Sequence, residues 1–333
     1  MSRFQHLAII GGGGFGTALA CVTARAGRRV RLWVRDAELM AEINHTHQNS
    51  RYLPGIRLPE QLAATTDMAE AGAANALLLV TPAQFLRPTL QKLAAHLKPG
   101  APLVICAKGI ESSTHLLLHQ VVNQLAPGHP VAVLSGPSFA GDIARGLPTA
   151  VTLACEDVKL GEELVPCIGA HNLRPYLSSD VTGAEIGGAL KNVIAIACGI
   201  TEGQGLGDSA RAALMTRGLS EMTRLAVALG GRAETLMGLA GLGDLALSCN
   251  SRQSRNFTLG FRLGQGESLA AILGGGRGVF EGAATVSAAL RLADRNSIDM
   301  PITAAVDTIL QERAAITDVI TGLLIRPYTT EAR

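Results

Sequence analysis

Four groups of side chains in this chain could do chemistry. Lys108 follows the apolar run Leu103 to Ala107, and so stands at the carboxyl end of a candidate strand. Lys191 lies inside the apolar helical stretch Glu185 to Ala195, where an ammonium is expensive to bury unless it meets an anion or an acid. A lysine on the wet face of that helix is the plain alternative, and periodicity alone does not reject it. Asp244 closes the glycine-rich turn Gly238 to Gly243, where an acid can also be a turn residue or a helix cap. Ser254-Arg255-Asn256 sits in a polar segment ahead of a helical stretch, and Arg255 with Asn256 could hold a phosphate through charge-assisted bonds. Together these residues suit proton transfer beside an anionic substrate. None of the eight histidines competes for the acid/base role.

Beside these side chains stands a glycine loop. Leu7-Ala8-Ile9-Ile10 runs straight into Gly11-Gly12-Gly13-Gly14-Phe15-Gly16, a G-x-G-x-x-G pattern on Gly11, Gly13 and Gly16. In a strand-to-helix turn these glycines allow a tight bend, close approach of a pyrophosphate and close helix packing. The helix starting near Gly14 would aim free N–H groups at the phosphates. A structural glycine turn reads the same way in isolation. Its place after the first strand favours a dinucleotide. The acid that usually meets the ribose diol of NAD is missing at Val34, and Arg35 comes next, which points toward NADP or dual use, with Asp36 close enough to blur the preference.

The remaining residues must position these groups, and they bound the class of protein. The chain has 333 residues, 47% hydrophobic and 17% charged, which suits about two folded domains and excludes a disordered chain. A net charge of +2 and only 3% aromatic residues argue against a nucleic-acid partner. The six cysteines contain no C-x-x-C pair, so they read as buried thiols of a reducing cytoplasm, with no metal site expected. Five glycines break the uncharged stretch Leu7 to Ala24 into a strand and a helix, so a soluble, unprocessed cytoplasmic protein without a membrane span is expected.

Up to about residue 178 short apolar runs alternate with helical stretches, the pattern of a mostly parallel sheet. Candidate strands are Leu7 to Ile10, Val30 to Val34, Ala76 to Thr81, Pro102 to Ala107, Val131 to Ser135, Thr149 to Ala154 and Asn172 to Leu177. A first helix over Thr17 to Ala26 would end at Gly27. From Gly183 on, apolar residues such as Leu214, Leu219, Met222 and Leu225 recur at helical spacing. The expected fold is therefore an α/β Rossmann-like domain over residues 1–180 and an all-helical substrate domain over 181–333. Glycine-rich segments 203–207 and 274–278 could be loops over a cleft.

At this point ordered blocks in both halves resemble the bacterial NAD(P)-dependent sn-glycerol-3-phosphate dehydrogenase family. They include GGGGFGTALA (Gly11 to Ala20), Leu32 to Arg35, YLPGI (Tyr52 to Ile56), AKGI (Ala107 to Ile110) and SGPSFAGDIARGLPTA (Ser135 to Ala150). GGALKNVIAI (Gly187 to Ile196), MGLAGLGDL (Met237 to Leu245), SRN (Ser254 to Asn256), VFEG (Val279 to Gly282) and Met300-Pro301-Ile302 continue the match. The resemblance implies reversible reduction of dihydroxyacetone phosphate to sn-glycerol 3-phosphate with NADPH or NADH, for phospholipid synthesis, commonly by a homodimer. It implies cofactor contacts at Gly14, Phe15, Arg35, Lys108, Ala140, Arg255, Val279 and Glu281. Substrate contacts fall on Lys108, Gly136, Ser138, Lys191, Asp244, Ser254, Arg255 and Asn256, with Lys191 as the acid/base residue. This sequence departs from the pattern at Gly14, where many relatives carry a side chain such as Ser, at Phe15, where Tyr or Trp also occurs, and at Asp142, which takes a usual Glu place. Rivals are another two-domain ketone reductase, of ketopantoate or hydroxyacid type, and a non-catalytic NADP-binding sensor. The Ser254-Arg255-Asn256 block tells against the first, and the two lysines with Asp244 against the second.

Overall fold

Eight strands form one sheet in the order β3-β2-β1-β4-β5-β6-β7-β8: β1 His6–Ile10, β2 Arg29–Trp33, β3 Ala63–Thr65, β4 Ala76–Leu79, β5 Leu103–Ile105, β6 Val131–Ser135, β7 Thr149–Cys155 and β8 Leu173–Ser178. The computed structural model describes residues 3–274, 280–327 and 330. Pairing is parallel from β3 through β6, with Leu7 opposite Val30 on one side and Ala76 on the other. β7 turns antiparallel to β6, and β8 is parallel to β7. The short apolar runs form strands because both faces are covered: every residue of β4 and β5 is buried. The strand order reverses direction between β1 and β4, and open α/β sheets bind ligands at such a point, outside the carboxyl ends of the strands.

Each of the seven expected strands is present, with ends shifted by a few residues. β3 has no counterpart among them. It is only Ala-Ala-Thr, without an apolar run, and exists because β2 offers it an open edge. The first helix begins three residues earlier than the Thr17 start, at Gly14, and runs to Arg25. Gly27 follows its cap with φ of 81°, the left-handed geometry that a glycine accepts freely.

Contacts divide the chain into two units, Met1–Ala107 with Leu117–Ala184, and Lys108–Leu116 with Glu185–Arg333. The sheet lies wholly in the first. The second is helical, and it also takes the segment Lys108–Leu116, which a division at residue 180 had left with the sheet. Ser112 Oγ donates to the Ala284 carbonyl at 2.9 Å, which ties this segment to the helix Glu281–Arg295.

Within the second unit the long helix Val181–Gly203 and the helix Arg255–Gly264 meet backbone to backbone. A Cβ placed on Gly199 or Gly203 would lie 2.1 or 2.4 Å from the carbonyl oxygen of Phe257 or Phe261, and one on Gly260 or Gly264 would lie 2.0 or 2.6 Å from that of Ile196 or Ile200. Four glycines thus bring the two helices closer than any side chain would permit. Val181–Gly203 is long and apolar enough to cross a membrane, yet its apolar window is fully buried in the protein. All six cysteines are buried thiols that form no disulfide.

Candidate active site

Asp244 is where two cations converge. Lys191 Nζ donates to Asp244 Oδ1 at 2.5 Å and Lys108 Nζ to Oδ2 at 2.5 Å, so each carboxylate oxygen holds one ammonium. Asp244 is 1% exposed and Lys191 8%. The wet-face reading of Lys191 fails, because the whole stretch from Glu185 to Ile200 is buried. Local sequence explains the approach. A π-turn at Leu239–Gly243 leads into the helix Asp244–Cys249, and the turn presses on the long helix where Gly187 stands, one turn before Lys191. A Cβ on Gly187 would lie 2.4 Å from the Ala240 carbonyl oxygen, so the glycine is what lets Asp244 reach Lys191.

Ser248, one turn beyond Asp244, accepts a second bond from Lys191 Nζ at 2.8 Å. Burial lowers the Lys191 pKa to about 8: the Asp244 carboxylate opposes that effect and the Lys108 charge adds to it. Burial alone would push the Asp244 carboxyl up, but the two ammonium groups hold it below the ordinary carboxylate range. Two ammonium groups around one carboxylate leave a net positive centre, and one of its protons is removable near neutral pH. Such a group can give or take a proton at a developing alkoxide.

The Ser254-Arg255-Asn256 block divides by role. Ser254 caps the helix Arg255–Gly264, its Oγ accepting from Phe257 N at 3.3 Å. Asn256 is buried and engaged at both ends: Nδ2 donates to Asn192 Oδ1 at 3.0 Å, and Oδ1 accepts from Gly282 N at 3.1 Å. It thus links the residue after Lys191 to the start of the helix that Glu281 opens. Arg255 alone presents an exposed side chain, at the first position of a ten-residue helix, where free N–H groups also favour an anion.

In the first unit the glycine loop has the geometry of a phosphate cradle. Gly11 has φ of 130°, and a Cβ on Gly16 would fall 1.9 Å from the Gly11 carbonyl oxygen. Over Gly13, the residue capping the first helix without a side-chain bond, the space is open. At Gly14 a Cβ would meet the Tyr52 carbonyl oxygen at 2.9 Å, so the glycine lets the Tyr52 turn approach the loop. Phe15 packs against the core beside it. Buried Asn49 holds the loop and the Tyr52 turn together, donating to Gly12 O at 3.0 Å and accepting from Tyr52 N at 3.1 Å.

Past β2, Asp36 is engaged: it caps the helix Ala37–Thr46 by accepting from Glu38 N at 2.9 Å and pairs with Arg51 at 3.1 Å. Arg35 is exposed. With the neighbouring acid occupied, the strand end offers a guanidinium and no carboxylate, a donor set that fits a 2′-phosphate or an adenine face. Gly136, with φ of 141°, accepts from Ser138 Oγ at 2.8 Å just before the short helix that Ala140 begins. Asp142 on that helix pairs with Arg145 at 3.2 Å.

Family models for NAD-dependent glycerol-3-phosphate dehydrogenase match residues 6–161 with the N-terminal part and 180–321 with the C-terminal part. The chain belongs to the NAD-dependent glycerol-3-phosphate dehydrogenase family. The chain is 54% identical over 328 residues to the glycerol-3-phosphate dehydrogenase [NAD(P)+] of Parvibaculum lavamentivorans, covering 98% of each protein. Against the enzyme of the same name from Rhodospirillum rubrum it is 56% identical over 329 residues, covering 98% of this chain and 94% of the relative. The crystal structure of glycerol-3-phosphate dehydrogenase from Coxiella burnetii superposes with a TM-score of 0.93 at 38% identity, covering 97% of this chain and 100% of that one. The family's N-terminal model thus covers the glycine loop and Arg35, and its C-terminal model covers Lys191, Asp244 and Arg255.

Of the residues expected to act in this family member, the second unit brings together Lys108, Lys191 and Asp244, and links Asn256 to the helix after Glu281. Val279 lies outside the described residues, as do positions 275–278 of the glycine-rich segment. Sequence reasoning missed Ser248, Asn192, Asn49 and Arg51. Ser248 was findable in principle, since i and i+4 share a helix face with Asp244. The others act across distances no spacing rule reaches. Among the described residues no group of three or more His, Cys, Asp or Glu side chains could hold a metal ion.

Proposed function

We propose that this chain is an NAD(P)-dependent sn-glycerol-3-phosphate dehydrogenase that interconverts dihydroxyacetone phosphate and sn-glycerol 3-phosphate. The observation that carries the reading is Asp244 bridging Lys191 and Lys108, supported by family membership. Gly11, Gly13, Gly14, Phe15, Gly16, Arg35 and Ala140 of the first unit would hold the dinucleotide, which supplies the hydride when bound. Lys191 holds a proton at Nζ and releases it to the carbonyl oxygen as charge builds there. In the reverse direction neutral Nζ takes the proton from the hydroxyl. Asp244 and Ser248 fix the direction of Nζ. Lys108 places a second positive charge beside the oxygen and helps keep the Lys191 proton labile. Arg255, with the N–H groups at the start of its helix, receives the phosphate.

The same reading places the protein in the cytoplasm as a homodimer, supplying the glycerol backbone of phospholipids. The discriminating assay is oxidation of NADPH and of NADH with dihydroxyacetone phosphate, beside ketopantoate as a carboxylate substrate, in excess chelator. Turnover of the phosphorylated ketone is expected. Turnover of ketopantoate alone would overturn the assignment, and cofactor binding without any turnover would indicate a sensor.

A further inference from the structure

A cluster near Arg255 takes no part in the proposed chemistry. Glu202, in the last turn of the helix that carries Lys191, accepts from Arg252 Nη2 through Oε1 at 2.9 Å and from Arg211 Nη1 through Oε2 at 2.6 Å. Arg211 is braced in turn by Asp208 at 2.7 Å. The Arg252 guanidinium carbon lies 3.8 Å from the Phe261 ring centroid, a close cation–π contact. The Arg252 carbonyl oxygen accepts from Thr258 Oγ1 at 2.8 Å.

Arg252 belongs to the irregular turn 250–254, which delivers the chain to Arg255. Apart from a long bond from Asn250 Nδ2 to Met215 Sδ at 3.9 Å, the other bonds seen in that turn are local, such as Gln253 N to Ser251 Oγ at 3.2 Å and Ser254 N to Ser251 O at 3.0 Å. The glycine seam already fixes the axis of the helix Arg255–Gly264 against the Lys191 helix, so the cluster is not needed to hold the helices together. The turn itself lies outside the seam. Arg252 grips it by its side chain on Glu202 and Phe261 and by its carbonyl on Thr258. A turn ordered before substrate arrives does not have to be ordered by binding energy.

We propose that Glu202 and Arg252 form a latch that pre-positions the turn 250–254, and with it the Arg255 guanidinium, for the phosphate of the substrate. The inference rests on the assignment of Arg255 to that phosphate. Glu202 and Arg252 are positioning residues and touch no reacting atom. Their side chains are 28% and 62% exposed, so replacing them leaves the core intact.

The test is steady-state kinetics of the full-length protein, with Glu202→Gln and Arg252→Lys, on dihydroxyacetone phosphate and on unphosphorylated dihydroxyacetone at saturating NADPH. Arg252→Lys keeps the charge and loses the planar fork and the stacking. Each variant should raise KM for the phosphorylated ketone about tenfold, with kcat within about twofold and kcat/KM for the unphosphorylated ketone unchanged. Adding Glu202→Gln to Arg255→Ala should change KM no further, because the latch acts through Arg255. Equal losses on both ketones, full additivity with Arg255→Ala, or an unmoved KM would each overturn the latch. A wild-type protein that fails to reduce dihydroxyacetone phosphate removes the functional reading first and the latch with it.

Discussion

Asp244→Asn changes one atom type at the point where both ammonium groups converge. The variant keeps the shape and removes the charge that stabilises protonated Lys191. Taking the charge centres as about 4 Å apart at an effective dielectric constant of about 20, the lost attraction is about 4 kcal/mol. At 1.36 kcal/mol per unit that is an upper bound of about three pKa units, and side-chain relaxation and entering water reduce it to about one or two. The sign is definite. Without the carboxylate, burial and the Lys108 charge act unopposed, so the Lys191 pKa falls from about 8. Oxidation of glycerol 3-phosphate needs neutral Nζ, so the rising limb of its kcat/KM against pH should move down by about one to two units. Reduction at pH 7 should fall, because the protonated fraction of Lys191 drops from about nine tenths to between about a tenth and a half. Lys108→Met removes the like charge and should move the same limb upward. The assay is a pH–rate profile in both directions for wild type and both variants. A limb that stays in place in Asp244→Asn, with only a lower plateau, would refute the electrostatic coupling and leave Asp244 a purely geometric support.

Other expectations follow from single contacts. Lys191→Ala should lower kcat by about 100-fold or more, while a fluorescence titration finds NADPH affinity unchanged. Arg255→Ala should raise KM for dihydroxyacetone phosphate by about tenfold or more, and an unmoved KM would place the phosphate elsewhere. Arg35→Ala should cost NADPH about tenfold more than NADH in kcat/KM, whereas an equal loss on both would mean that the guanidinium stacks on adenine. Gly16→Ala has no room for its methyl against the Gly11 carbonyl, so both cofactors should bind far more weakly in direct titration, and unchanged affinity would reject the cradle.

What the sequence determined by itself is whatever depends on local pattern. Buried parallel strands are continuous apolar runs, so Leu7 to Ile10 and Val131 to Ser135 were legible from composition, and the turn after β1 was legible from its glycines. Lys191 stood out because an ammonium in an apolar stretch demands a partner. Which partner it has was not readable. Asp244 lies 53 residues away along the chain, and only the π-turn against Gly187 brings it within 2.5 Å. Likewise Ser254, Arg255 and Asn256 look alike as polar residues ahead of a helix. Tertiary structure makes one a cap, one an exposed cation and one a buried link to Asn192 and Gly282. β3 escaped notice because three residues carry no periodicity and depend on the edge of β2. Local sequence sets which backbone conformation is affordable at each position; which charges meet is decided by packing, because hydrogen bonds and Coulomb attraction act over a few ångströms of space whatever the separation along the chain.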